Sequence, residues 1–306
     1  MRPSSPALTR GLGCLFGAAA ACALYACSGS VKTAAAPRPH DSAERASPAK
    51  TARARPAPEP HGRATGDPDG LAASEPDGLA ASVPDWRAAD APATVAARLV
   101  VAQRSVEEFF GRPFPRPYEV HVLPDRAAFS RFVKERWDMP ETQCWMVAAG
   151  TASVMVMIDP VAWKTEACEH DPSDERHVQQ LLTHELVHVF HGQHSPRPEF
   201  DGMDDLGWFV EGLAVYASGQ LDESRRREAR EAIAKGKAPE RLEDAWSGRY
   251  RYAVCGSLAA FVDERLGREK LLGLLGATQE GEFLSALGMS EAELLEGWRK
   301  RETRAP

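Results

Sequence analysis

The run Thr183-His184-Glu185-Leu186-Val187-His188 constrains this chain more than any other stretch. It is an H-E-x-x-H pattern set among apolar residues. On a helix, positions i and i+4 share one face, so His184 and His188 can offer two imidazoles to one metal ion. Glu185 sits beside them as a base and not a ligand. Buried without partners, two imidazoles and a carboxylate would cost roughly several kcal/mol. A metal supplies those partners. The rival is a surface helix with incidental histidines. The local signals favour a well-formed buried helix: Asp171-Pro172-Ser173-Asp174 reads as a capping Asp171, proline at the first position and acid in the first turn. Val178, Leu181, Leu182 and Val187 give that helix an apolar face, and Gly192 with Pro196 is expected to end it.

Two residues compete for the third ligand position. His194 lies ten residues after His184, the spacing of the third histidine in the metzincin pattern H-E-x-x-H-x-x-G-x-x-H. That pattern needs glycine where this chain has His191, and Gly192 comes one place late. Glu211 is the other candidate. It is a lone acid in Trp208-Phe209-Val210-Glu211-Gly212-Leu213-Ala214-Val215-Tyr216, where a carboxylate needs an ion or a partner.

The two stretches together resemble the gluzincin metallopeptidases, closest to the bacterial peptidase MA-like group. The Glu-Gly-x-Ala run is also similar to that of the zinc aminopeptidases of the leukotriene-hydrolase type. Tyr252-Ala253-Val254-Cys255-Gly256-Ser257-Leu258, followed by Leu266-Gly267-Arg268-Glu269-Lys270-Leu271, resembles the family's C-terminal helical segment. The resemblance covers roughly residues 118–300 and is specific at the two metal motifs. It implies one zinc ion held by His184, His188 and Glu211, with a fourth position open to water. It implies peptide-bond hydrolysis by a metal-activated water, with Glu185 as general base. Tyr252 matches the family's oxyanion donor, with Tyr250 as substitute; plain packing at a helix start is the rival for both tyrosines. Asp204 or Asp205 is a candidate to orient a ligating imidazole, against a role as solvated loop acids. Val154 to Ile158 is a candidate edge strand for an extended peptide. The rival enzyme reading is a metzincin-like peptidase using His194. The rival from another class is a non-catalytic surface-binding lipoprotein that retains the fold.

The start of the chain sets its expected location. Arg2 and Arg10 precede a small, apolar run from Gly11 to Ala26, an export signal by composition. Leu24-Tyr25-Ala26-Cys27 resembles the bacterial lipobox, which implies a signal peptide over 1–26, cleavage before Cys27 and lipid on its sulfur. An ordinary secretory signal is the alternative. Residues 27–85 are Pro-, Ala- and Ser-rich, with the run Pro68 to Ser74 repeated at Pro76 to Ser82. Such a segment buries too little apolar surface to offset its ordering entropy and reads as a tether. The expected location is therefore the cell envelope, with the membrane reached through the lipid anchor. Of the six cysteines, Cys144, Cys168 and Cys255 fall in the remaining domain. An exported chain can keep a Cys144–Cys168 disulfide with Cys255 left over; three buried thiols are the alternative.

Residues 86–306 then form one domain with room for a sizeable core. The formal net charge of −7 and the lack of a long basic run argue against nucleic acid as a partner. A peptide or protein substrate is expected, and nothing in the sequence sets the oligomeric state. A helix is expected from Thr94 to Phe110, a strand from Tyr118 to Leu123, and a helix behind Asp125 through Trp137. Strands follow at Cys144–Ala149 and Val154–Ile158, then the H-E-x-x-H helix and further helices to the end, including a capping box at Ser290–Glu293. The expected class is α+β: a small N-terminal helix-and-sheet lobe, the active-site helix, and a helical C-terminal lobe of gluzincin, thermolysin-like minimal core, with the site between the lobes. Glu199, Asp201, Asp204 and Asp205 do not have the spacing of a calcium loop. Arg225 to Arg230 reads as an exposed helix face.

Overall fold

The computed structural model of the chain describes residues 86–88, 91–139 and 142–304. The expected signal peptide, Cys27 with its lipid, and the tether with its repeat lie outside the described residues. Strand β1 (Trp86–Ala88) is followed by helix α1 (Ala93–Phe110) and strand β2 (Tyr118–Leu123). Helix α2 (Arg126–Trp137) leads to strands β3 (Ala148–Thr151) and β4 (Val154–Ile158). The short α3 (Trp163–Glu166) precedes α4 (Glu175–His194), which carries the H-E-x-x-H residues. Then come α5 (Gly207–Ala217), α6 (Glu223–Ala234), α7 (Arg251–Leu266), α8 (Arg268–Leu274), α9 (Glu280–Leu287) and α10 (Glu291–Arg304). The class is α+β, helix-dominated around a small sheet, as the sequence led one to expect.

The sheet order is β1-β2-β4-β3, with β2 parallel to both β1 and β4, and β3 antiparallel to β4. This corrects the expected edge strand. Val154 to Ile158 is interior and buried along its whole length, which accounts for its unbroken apolar run. The edge is β3.

The strand expected at 144–149 is also displaced, to 148–151. Residues 143–146 are held another way. The Arg126 guanidinium donates to the carbonyls of Gln143 (2.6 Å), Cys144 (3.0 Å), Met146 (2.8 Å) and Glu166. Cys144 is bonded to Cys168, with Cα atoms 5.4 Å apart, and Cys255 is buried and free. The Arg126 fork thus takes backbone acceptors that a strand would need, and the disulfide pins Cys144 to Cys168.

Helix α4 begins later and ends later than its sequence signals suggest. Its N-cap is Asp174, which accepts from the His177 amide; Asp171 instead closes a local turn on the Ser173 amide. At the other end the helix passes through Gly192, which is pressed against Ala152 and Pro198, and stops at Ser195. From Leu181 to Gln193 every residue of α4 is buried, so the helix is the centre of the domain and not an amphipathic surface helix. Helix α1 covers one side of it, β3 a second and α5 a third. The α1 contact includes Phe110 stacked on Phe190 at 4.3 Å. Burying each such large apolar side chain contributes about 1.5–3 kcal/mol.

Gly150 sets how closely the edge strand meets α4. A Cβ there would stand 2.5 Å from the Glu185 carbonyl oxygen and 3.4 Å from the His188 Cβ. Only glycine allows backbone to lie this close to backbone. Near the C-terminus the expected capping box forms reciprocally: Ser290 N donates to Glu293, and Glu293 N to Ser290 Oγ.

Candidate metal centre

Helix α4 places His184 and His188 one turn apart, and α5 brings Glu211 across to them. His184 Nε2 lies 3.1 Å from His188 Nε2 and 3.5 Å from Glu211 Oε2. His188 Nε2 lies 3.7 Å from Glu211 Oε1. All three residues are 6% exposed. Among the described residues they are the one group of three or more His, Cys, Asp and Glu side chains whose donor atoms converge as metal ligands would. The group could hold a metal ion.

The donor chemistry fits that use. Gln220 Oε1 lies 2.9 Å from His184 Nδ1. An amide oxygen only accepts, so Nδ1 carries the proton and the Nε2 lone pair points at the cluster. There it meets a second imidazole nitrogen and two carboxylate oxygens. Such a set of lone pairs needs a shared cation or proton. For metal–ligand bonds of about 2.0–2.1 Å, tetrahedral donors stand about 3.3–3.4 Å apart, close to the three separations found here.

Electrostatics without a metal express the same conflict. Burial lowers the pKa of both imidazoles. At His184 the hydrogen bond to Glu211 and the charges of Glu185 and Glu211 outweigh it, for a net rise. At His188 burial prevails, and the pKa falls well below the ordinary value. Glu185 is pushed up to about 7, chiefly by burial and further by the Glu211 charge, against the lowering effect of His184.

A cavity of about 90 Å³ opens on these residues. One wall is the edge strand with the preceding Trp145 and Met146; the other carries Trp246 and Tyr252. Glu185 lines it beside the two histidines. Tyr252, the expected donor, is here too. Burial and then the Glu211 charge push its pKa up to about 12, so it keeps its proton at neutral pH. Tyr250, the substitute, is elsewhere: its hydroxyl bonds Glu231 at 2.9 Å.

His194 does not join the group. On an unbroken helix it stands about 9 Å further along the axis than His188. Its Nδ1 donates to the Phe190 carbonyl at 2.8 Å, and its ring lies on Phe190 at 4.3 Å. The metzincin arrangement needs the chain to leave the helix before that histidine, and α4 does not. The downstream acids are likewise placed for other work. Asp205 accepts from the Glu280 amide at 2.7 Å, at the start of α9, and Arg197 Nη1 bonds the Asp201 carbonyl.

Gln220 has no signal in the sequence. It lies in the loop after α5, which Gln180 fixes by donating to the Gly219 carbonyl at 2.7 Å. Gln220→Leu should therefore weaken metal binding about 10–100-fold and leave the fold intact. Competition with a chromophoric chelator reads that change; an unaltered affinity would remove Gln220 from the role of orienting His184.

His191 sits where the metzincin pattern has glycine, and its ring packs on Phe200 at 5.1 Å and Phe209 at 5.8 Å. Neither ring nitrogen finds a hydrogen-bond partner of good geometry. Burial drives its pKa down to about 3, and the Leu275 carbonyl offsets this in part. The folded pKa lies below the unfolded value, so this residue costs no stability above about pH 6.5, and stability falls as pH drops from there toward 3. Between pH 7 and pH 5 the loss is about 2 kcal/mol. Denaturant unfolding at the two pH values should show that loss shrink by this amount in His191→Leu.

No family model matches this chain, and no curated protein or solved structure is similar enough to count as a relative. The functional reading rests on the site.

Proposed function

We propose that the chain is a zinc-dependent peptidase of gluzincin type, with His184, His188 and Glu211 as the three protein ligands. The convergence of those three buried donors supports this reading most. Two imidazoles and one carboxylate are a known catalytic zinc set, with the fourth position open. Zinc held there would polarise a carbonyl and make a bound water acidic near neutral pH. Glu185 faces the same cavity without being one of the three donors, which suits a carboxylate that takes a proton from water and passes it to the leaving amine. Tyr252 keeps its hydroxyl proton and donates to the developing oxyanion. An extended peptide has an edge on which to pair, because β3 borders the cavity and, among the described residues, has no strand on its outer side.

The finer fold assignment, the thermolysin-like minimal core, goes with this proposal. Its support is the pairing of an H-E-x-x-H helix with a second helix that supplies Glu211 beside an edge strand. The Cys144–Cys168 bond is in keeping with an oxidising compartment. Export, and anchoring through a lipid on Cys27, rest on the sequence. No helix of the described residues is long and apolar enough to cross a membrane. The test is hydrolysis of a mixed peptide library. Chelation should abolish cleavage and one equivalent of zinc should restore it. A metal-replete protein that cleaves nothing in the library would favour the binding-protein reading.

A further inference from the structure

Two arginines without a carboxylate partner flank the metal cavity. Arg251 opens α7, and its guanidinium carbon lies 4.9 Å from the ring centre of Tyr252, 5.7 Å from Trp246 and 5.8 Å from Trp145. All three rings line the cavity of His184, His188 and Glu211. Trp145 belongs to the wall before β3, and Trp246 and Tyr252 to the facing helical wall. Arg251 therefore stands between the two walls. Arg225, from α6, lies over the Tyr252 ring at 5.2 Å.

Three other partly buried arginines of the domain are occupied. Arg126 is held by carbonyls, Arg268 by Asp263 and Arg301 by Glu264. Arg251 has a long bond, 3.4 Å, to the Gly248 carbonyl, and among the described residues neither Arg251 nor Arg225 forms an ion pair.

The chemistry of this arrangement is specific. Rings around a guanidinium desolvate it. Arg251 meets the Tyr252 hydroxyl and the Gly248 carbonyl, and a guanidinium with five donors retains others beyond those two. Guanidinium N–H groups form a planar fork that matches a carboxylate in two parallel hydrogen bonds. Arg251 also sits at the positive end of α7, where a cation is disfavoured unless an anion joins it. Arg251 thus sets a guanidinium without a carboxylate partner against three of the rings that line the cavity.

We propose that Arg251, supported by Arg225, binds a carboxylate of the substrate, so that the peptides taken by this cavity carry an anionic group near the bond that is cut. The proposal rests on the peptidase reading for its substrate class. The carboxylate has two possible sources, the C-terminal α-carboxylate of a short peptide or an Asp or Glu side chain within a longer one.

Binding decides it without relying on turnover. Zinc-loaded Glu185→Gln protein is titrated by calorimetry with acetyl-trialanine as the free acid, with its amide, and with the amide of acetyl-Ala-Glu-Ala. At least one carboxylate peptide should bind about tenfold or more tightly than the neutral amide. That preference should vanish when Arg251→Gln is added, with zinc content and Tm unchanged. The free acid winning points to the α-carboxylate, and the Glu peptide winning points to a side chain. Equal binding of all three peptides overturns the proposal, with no variant needed. Preference retained in Arg251→Gln also overturns it, since the metal alone would then draw the carboxylate. Because hydrolysis is not read, failure here leaves the peptidase reading standing, and a protein that cleaves nothing still reports on carboxylate binding.

Discussion

Glu185→Gln is expected to keep zinc bound while peptide hydrolysis falls about 10²–10⁴-fold, the usual contribution of a positioned general base. The three proposed ligands are other residues, so the substitution leaves them alone. Glutamine is close to isosteric and carries no charge into a site that is 6% exposed. In the folded chain, burial raises the Glu185 carboxyl pKa to about 7. A folded pKa above the unfolded one means that ionising this group opposes folding as pH rises. The metal-free variant should therefore be no less stable than the parent at neutral pH. The measurement pairs zinc content with kcat/KM on one preparation. Full activity in Glu185→Gln would remove the base from the mechanism, and loss of zinc would show that Glu185 is part of the ligand set.

The second large effect concerns Glu211. Removing its carboxylate takes away one of the three converging donors, and the zinc affinity of Glu211→Ala should fall at least about 100-fold. His194→Ala should leave affinity within experimental error of the parent. Its nitrogen is already bonded to the Phe190 carbonyl, and its place at the end of α4 keeps it away from the cluster. The two variants distinguish the gluzincin ligand set from the metzincin one by which of them loses the metal.

The legible parts of this protein are those whose signals are local. Spacing alone puts His184 and His188 on one face, and the apolar frame around Glu211 marks a carboxylate that needs a partner. The helices α1 and α2 follow from apolar spacing and an Asp cap and lie within a residue or so of where they are expected. What the sequence hides is set by tertiary contact. A strand at 144–149 is reasonable by composition, but Arg126 from the preceding helix takes carbonyls there. Val154 to Ile158 reads as an edge strand until β2 and β3 pair with its two sides. Gly192 reads as a helix stop, yet it lies inside α4, where the close approach of Ala152 and Pro198 leaves no room for a Cβ. Gln220 carries no motif; its place beside His184 appears only when the loop after α5 meets α4.

The central claim is that His184, His188 and Glu211 tie α4 to α5 through one metal ion. Native mass spectrometry of zinc-supplemented protein tests it most directly. One zinc per chain should be found in the parent and in His194→Ala, and none in Glu211→Ala. Zinc retained by Glu211→Ala and lost from His194→Ala would contradict it.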